Sequence, residues 1–226
     1  MKNFSRYQTA TAIAILFHLI GLAGILFIDK DLFVQATWMN MLLMLGLLIY
    51  TQRQRNSYFF IFMFTCFTAG FAVELIGTQT GLLFGNYSYG DVLGWKISGV
   101  PLIIGINWFI IMYCCGITIL SVFNRLTSNL AEPEKPKPIL RMASVVTDGA
   151  MLALFFDWVM EPAAIELGYW SWKDGEIPML NYVCWFIVSA ILLMIFHICK
   201  FDKQNKFAVN LLLIQFMFFL VLRSIL

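Results

Sequence analysis

Residues 99–122 predict the fold class of this chain, and their sequence is GVPLIIGINWFIIMYCCGITILSV. It has no charged side chain, and a helix of about 20 apolar residues crosses a bilayer core. A lipid-facing backbone must satisfy its own amides, and the alternation of barrel strands is missing. We therefore predict an all-α, polytopic membrane protein with about seven transmembrane helices in a single integral membrane domain, residues 1–226. The other six spans lie near residues 9–28, 33–50, 58–77, 140–160, 178–199 and 207–225.

The composition excludes several classes of protein. Apolar residues (AVILMFWYC) make up 61% of the chain, charged residues make up 12%, and the mean hydropathy is +0.81. Soluble proteins carry roughly twice as much charge. Disordered, coiled-coil and nucleic-acid-binding chains need high charge, heptads or a basic face. We therefore expect membrane lipid around the chain and no nucleic-acid partner.

Lysine and arginine are divided unevenly between the two sides of the predicted spans. Eleven lie on one side and four on the other, and the positive-inside rule assigns the richer side to the cytoplasm. The amino terminus is therefore predicted to be cytoplasmic, and the loops after the third and fifth spans share the opposite face. The eleven are Lys2, Arg6, Arg53, Arg55, Arg125, Lys135, Lys137, Arg141, Lys200, Lys203 and Lys206, and the four are Lys30, Lys96, Lys173 and Arg223.

Three further features have ordinary structural interpretations. The first span is long and lacks a clear cleavage site, so we expect a retained helix rather than a signal peptide. The segment Glu132–Pro138 is charged and rich in proline, which predicts a linker between two halves of the bundle, with partner docking as the alternative. The cysteines lack C-x-x-C spacing, which is typical of buried thiols. They are Cys66, Cys114, Cys115, Cys184 and Cys199.

Two segments repeat the same spacing of uncommon residues. Glu74 stands eleven residues before the pentapeptide GNYSY (85–89), and Asp157 stands eleven residues before GYWSW (168–172). We interpret this as a duplicated helix-loop-helix unit, with copies at about residues 58–122 and 140–199. Coincidence among membrane-interface residues is the alternative. In both segments a tryptophan also follows a proline by seven residues: Trp108 follows Pro101, and Trp185 follows Pro178.

The repeat predicts how its parts are arranged. Both copies run outward and then back, which makes a parallel repeat rather than the inverted kind common in transporters. The two prolines are expected at the start of the returning helices, with the aromatic segments over the outer interface. Glu74 and Asp157 are expected at matching depth, three residues or about 5 Å inside the boundary.

Acidic residues inside the spans are the candidates for chemistry, because they are costly in a membrane. Glu74 and Asp157 each follow a small residue, Gly70 or Ala153, by four positions, which places them on a helix face that a neighbour can approach closely. The alternative is that they bond loop amides or cap helix ends. Asp148 and Glu161 are secondary candidates, with Asn107 and Asn181 as neutral polar companions.

A carboxyl group in a dry environment can hold a proton at neutral pH, because burial disfavours the ionised form. Such an acid can protonate an alkene while a second carboxylate orients water. Aromatic faces could stabilise a passing carbocation, although an ordinary aromatic belt is the alternative. The residues concerned are Tyr87, Tyr89, Trp170 and Trp172.

Cofactor sites receive little support from the sequence. His18 and His197 lie at different depths, which disfavours haem ligation by both. The seventh span lacks the lysine that a retinal Schiff base needs, and no metal-ligand spacing, phosphate loop or Ser/His/Asp arrangement is present. We therefore predict no metal and no cofactor.

The motifs together resemble a known family, the membrane carotenoid biosynthesis proteins of the carotenoid 1,2-hydratase type, which includes γ-carotene and bisanhydrobacterioruberin hydratases. The resemblance covers roughly residues 70–186. One departure is that Glu176 stands where a glycine would precede the Ile-Pro pair. The motifs are ELIGTQTG (74–81), FGNYSY (84–89), LG (93–94), GVP (99–101), DWVMEP (157–162), GYWSW (168–172), IP (177–178), Asn181 and Trp185.

The resemblance implies an enzyme that adds water to the terminal double bond of an acyclic carotenoid, giving a tertiary alcohol. One of Glu74 and Asp157 would deliver the proton and the other would handle water. Implied partners are the lipophilic carotenoid, water, membrane lipid and other enzymes of the pathway, in a bacterial or archaeal cytoplasmic membrane. The substrate-binding candidates are Tyr87, Tyr89, Asn107, Trp108, Trp170, Trp172, Asn181 and Trp185.

Two other functions remain open from the sequence. A carotenoid cyclase would protonate the same end group and exclude water, and the sequence does not report water access. A small transporter or proton channel would also use paired intramembrane acids. The missing inverted repeat and the missing broken helices count against transport.

Overall fold

The computed structural model describes residues 5–131 and 136–226. Within these residues, six helices are long and apolar enough to cross a membrane, which confirms the all-α, polytopic membrane fold. The α-helices are α1 Arg6–Phe27, α2 Lys30–Gln35, α3 Thr37–Thr51, α4 Ser57–Thr80, α5 Ile103–Thr127, α6 Pro138–Glu166, α7 Met179–Ile198 and α8 Lys206–Ile225. The strands are β1 Tyr87–Tyr89, β2 Lys96–Ile97, β3 Val100–Pro101 and β4 Trp170–Trp172. Lys2 and the residues Glu132–Lys135 of the predicted linker lie outside the described residues.

The second predicted span, residues 33–50, is divided in the structure. Asp29 caps α2 by accepting a hydrogen bond from the amide of Leu32 at 3.1 Å, and Ala36 separates α2 from α3. At 15 residues, α3 is about 22 Å long, which is short of a hydrocarbon core of about 30 Å. Among the described residues, six helices are therefore of spanning length and the seventh apolar segment is shorter.

The fourth span begins later than predicted because a tight hairpin precedes it. Strands β2 and β3 pair antiparallel around Ser98 and Gly99, both of which have positive φ angles, as two-residue hairpin turns require. Pro101 lies in β3, so α5 starts two residues beyond it, whereas Pro178 directly precedes α7. The predicted helix start at proline therefore holds for Pro178 and is displaced at Pro101.

Helix α5 lies at the centre of the bundle. Its most apolar stretch is 78% buried, compared with 28–39% for the other spanning helices, and it packs against α3, α4, α6, α7 and α8. Large apolar side chains such as Phe64, Ile191 and Leu213 are exposed on the outside of the bundle, as lipid contact requires. The five cysteines are buried and free, as the sequence predicted.

A buried polar cluster joins two loops at the end of the bundle where α1 begins. The Tyr113 hydroxyl donates to Gln52 Oε1 at 2.5 Å, and Asn205 Nδ2 lies 3.1 Å from both the Tyr113 hydroxyl and Thr51 Oγ1. Gln52 Nε2 donates to the Asp202 carbonyl at 2.7 Å. The cluster therefore fastens the loop after α3 to the loop before α8.

At the opposite end, β1 and β4 form a two-stranded antiparallel ribbon, which we call the aromatic ribbon. Tyr87 pairs with Trp172, Ser88 with Ser171, and Tyr89 with Trp170. This pairing confirms that the loops after α4 and α6 lie at the same end. The backbones beside the two strands also approach closely, because a methyl group at Gly90 would overlap the Gly168 carbonyl.

Candidate active site

Three carboxyl groups are buried together beneath the aromatic ribbon. Glu74 on α4 is 5% exposed, and Asp157 and Glu161 on α6 are 0% and 2% exposed. Asp157 and Glu161 are four residues apart, so they share one face of α6. All three line the same small cavity.

The carboxylate of Glu74 accepts three hydrogen bonds from aromatic side chains. The Tyr87 and Tyr89 hydroxyls donate to Oε2, the second at 2.8 Å, and the Trp108 indole donates to Oε1 at 3.0 Å. Tyr87 and Tyr89 reach the same oxygen because alternate residues of a strand point to one face. Burial, and then the nearby Glu74 carboxylate, raise the pKa of both tyrosines, so both hydroxyls remain donors.

Glu161 receives the equivalent contacts from the other strand of the ribbon. The Trp170 and Trp172 indoles donate to Glu161 Oε1 at 2.7 and 2.5 Å. The sequence spacing matched Glu74 with Asp157, whereas the contacts match Glu74 with Glu161. Glu161 is therefore central to the site rather than secondary.

Asp157 lies deeper and has fewer partners. Asn181 Nδ2 donates to Asp157 Oδ2 at 2.9 Å, while Oδ1 accepts no hydrogen bond from any described residue. Asp157 and Glu161, one helical turn apart on α6, line the same small cavity.

The predicted depth of the acids needs correction, because both helices run further than their apolar stretches. Glu74 lies six residues before the end of α4 and Asp157 nine before the end of α6, or about 9 and 14 Å. Helix α6 continues through Pro162, whose missing amide leaves the Trp158 carbonyl free. Arg223 Nη1 donates to that carbonyl at 2.7 Å.

Stacked tryptophans form one wall of the cavity. The ring centres of Trp108 and Trp185 lie 4.3 Å apart, and the ring planes are inclined by 16°. These two tryptophans occupy matching positions in the predicted repeat. A methyl group at Gly70 would overlap the Trp108 side chain, so the small residue before Glu74 allows α5 to approach α4. Ala153, the matching residue before Asp157, is also buried.

The structure brings together all the predicted site residues except one. Asp148 is exposed on α6 and accepts a hydrogen bond from Ser144 at 2.5 Å. The cavity is also lined by Phe84, Ile104 and Met160, which sequence reasoning missed because apolar side chains carry no chemical signal in an apolar chain. The predicted residues that line it are Glu74, Tyr87, Tyr89, Asn107, Trp108, Asp157, Glu161, Trp170, Trp172, Asn181 and Trp185.

The small cavity has room for water and lacks a neighbouring cation. Its volume is about 30 Å³, and one water needs roughly 10–15 Å³ of such space. Throughout residues 5–131 and 136–226, the one salt bridge joins Lys96 to Asp91. No described lysine or arginine therefore pairs with the three carboxyl groups. The same residues contain no cluster of three metal-ligating side chains suited to a metal ion.

A larger apolar cavity of about 510 Å³ adjoins the small one. It lies between α1, α3, α6 and α8, and its volume is in the range of ligand pockets. Four residues line both cavities, so a chain occupying the large cavity can present its end to the carboxyl groups. These residues are Ile104, Asn107, Met160 and Trp170.

Fold and site together define a polytopic membrane protein with a buried carboxyl cluster beside an apolar cavity. The family model described as "Carotenoid biosynthesis protein" matches residues 32–226, and the chain belongs to this family. It is also 24% identical over 140 residues to the bisanhydrobacterioruberin hydratase of Haloarcula japonica, a match that covers 60% of this chain and 43% of the relative. The match thus spans less than half of the relative's length. No solved structure matches the chain.

Proposed function

We propose that the protein hydrates the terminal double bond of an acyclic carotenoid end group, giving a tertiary alcohol. The observation that carries the proposal is the carboxyl pair Asp157–Glu161, which lies opposite Glu74 in a water-sized cavity beside the large apolar one. Membership of the carotenoid family and the hydratase name of the distant relative support it.

The Asp157–Glu161 pair is the proton donor in this proposal. Two adjacent carboxylates without a cation repel each other, so the pair retains a proton. The π electrons of the terminal double bond form a C–H bond with that proton, which leaves a tertiary carbocation. General acid catalysis of this kind contributes roughly 100- to 10,000-fold to a rate.

Glu74 handles the water. Its three hydrogen-bond donors hold the carboxylate in one orientation and stabilise its negative charge. The water oxygen forms a C–O bond with the cation, and a water proton passes to Glu74. Return of a proton from Glu74 to the pair closes the cycle, so one water is consumed and no proton is lost.

The aromatic walls stabilise the cation before water attacks. The stacked Trp108 and Trp185 rings and the ribbon side chains line the cavity, and the faces of such rings attract positive charge by about 0.5–2 kcal/mol. Asn107 borders both cavities and Asn181 orients Asp157. These two amides therefore assist at the substrate entrance and at the acid.

The repeat and the membrane orientation are part of the proposal. The aromatic ribbon, with Ser88 opposite Ser171, supports two copies of a helix-loop-helix unit related by a local two-fold axis. The lysine and arginine bias supports a cytoplasmic amino terminus. A Ser171→Cys variant that reacts with an impermeant thiol reagent from outside intact cells would test this orientation.

The central experiment expresses the chain in a bacterium that already makes lycopene or γ-carotene and analyses the pigments by chromatography and mass spectrometry. The expected product is heavier than its precursor by one water. An isomer of unchanged mass would indicate a cyclase instead. Unaltered pigments, with the protein present in the membrane, would contradict the proposal. Asp157→Asn should abolish the product, while Asp148→Asn, at an exposed acid of the same helix, should not.

A further inference from the structure

Besides Asn107 and the mutually hydrogen-bonded Thr37 and Tyr169, three polar side chains line the large apolar cavity. They are His18 on α1, Asn40 on α3 and Gln215 on α8, and all three line the cavity. His18 and Gln215 lie nine and ten residues from the ends of their helices nearest the ribbon. They are therefore about 14–15 Å from those helix ends.

The amide oxygens of two of these side chains lack hydrogen-bond partners among the described residues. Gln215 is 9% exposed, and neither its Oε1 nor Asn40 Oδ1 has a hydrogen-bond partner among the described residues. Burying an amide without a partner is unfavourable, so such groups in native proteins normally meet water or a ligand.

His18 adds a hydrogen-bond acceptor of defined orientation. Its Nδ1 lies 2.7 Å from the Ala14 carbonyl, and a carbonyl oxygen only accepts. Nδ1 therefore carries the proton, and Nε2 of the neutral imidazole is left as an acceptor. No described residue bonds Nε2, and the imidazole packs edge-on against Phe218.

The chemistry of the cluster selects its ligand. Two neutral amides and a neutral imidazole offer donors and acceptors without a charge, which suits a hydroxyl group rather than a carboxylate or an ammonium group. Most of the other residues that line the cavity are apolar. We infer that His18, Asn40 and Gln215 bind a hydroxyl group on the isoprenoid chain that occupies this cavity. Only the isoprenoid nature of the ligand rests on the proposed function.

Direct binding tests this site independently of catalysis. Farnesol and farnesene are isoprenoids of equal carbon number that differ by one hydroxyl group, and each would be titrated against the full chain in detergent. The quenching of tryptophan fluorescence reports binding, because Trp170 lines the cavity. We expect farnesol to bind about tenfold more tightly than farnesene, because one hydrogen bond between neutral groups contributes a net free energy of about that size.

Variants then assign the preference to the cluster. Gln215→Leu and Asn40→Leu should each reduce the farnesol preference severalfold while farnesene still binds, which shows that the cavity has folded. Met41→Leu, a change of similar volume in the same cavity, should leave the preference intact. Equal binding of both probes by the unaltered chain, or a preference that survives both polar substitutions, would overturn the inference and leave only water at these groups.

An assay of lycopene hydration by the unaltered chain separates this inference from the proposed function. If the unaltered chain prefers farnesol but does not hydrate lycopene, the hydroxyl site stands and the proposed reaction fails. If it hydrates lycopene but binds both probes equally, the reaction stands and the hydroxyl site fails.

Discussion

Tyr87 and Trp172 are cross-strand partners in the aromatic ribbon, yet they bond carboxyl groups on two different helices. The Tyr87 hydroxyl donates to Glu74 of α4, and the Trp172 indole donates to Glu161 of α6. The register of this three-residue strand pair thus places hydrogen-bond donors against acids from both halves of the bundle. A slip of either strand by one residue would turn the two aromatic side chains of that strand away from the acids.

Glu161→Gln should lower carotenoid conversion at least as strongly as Glu74→Gln, by 100-fold or more, since an amide cannot transfer the proton. The measurement is pigment conversion per amount of membrane protein. Asp148→Asn is the matched control, because Asp148 is exposed on the same helix. Near-normal conversion by Glu161→Gln would assign the acid role to Asp157 alone.

Gly70→Ala should impair the site by displacing the Trp108 indole, which would overlap the added methyl group. We expect a loss of about 1–3 kcal/mol of stability, as in overpacked cores, together with reduced conversion. Thermal unfolding in detergent measures the first effect and pigment analysis the second. Gly46→Ala in α3 is the control, because nothing lies within 4 Å of a methyl group there; equal effects of the two substitutions would contradict this packing argument.

Asn205→Ala should lower the melting temperature without altering the chemistry. Asn205 bonds Thr51 and Tyr113 and caps α8 through the amides of Phe207 and Ala208. Loss of such a cap costs about 0.5–2 kcal/mol. Unfolding is followed by circular dichroism, with the exposed Asn129→Ala as control. Conversion at a permissive temperature should be unchanged, and a selective loss of conversion would speak against a purely structural cluster.

Arg223 and Pro162 should be energetically coupled. Arg223 donates to the Trp158 carbonyl that Pro162 leaves free, and its guanidinium lies 4.0 Å from the centre of the Trp158 ring. Arg223→Ala should therefore destabilise the protein by about 1 kcal/mol. In a Pro162→Ala background the helix amide can bond that carbonyl, so the Arg223→Ala effect should be smaller. Additive effects in the double-mutant cycle would disprove the coupling.

The fold class and most of the residues lining the candidate site could be predicted from the sequence. Apolar runs of spanning length predict helices whatever their neighbours are, because each helix satisfies its own backbone in lipid. Acids are so unfavourable in such runs that Glu74 and Asp157 stand out without any coordinates. The distribution of lysine and arginine also predicted that the loops after the third and fifth spans share one face.

The hydrogen-bond partners of each acid became visible only in the tertiary structure. Asp157 matches Glu74 in spacing, but the ribbon register directs Trp170 and Trp172 to Glu161, and no local pattern encodes a register between strands 80 residues apart in sequence. The Trp158 carbonyl that Pro162 leaves free is likewise bonded by Arg223 from another helix. The division of the second span and the polar groups of the large cavity also arise where separate helices meet. Hydropathy reports how each segment interacts with its solvent, whereas side-chain contacts between distant segments exist only once the helices have packed.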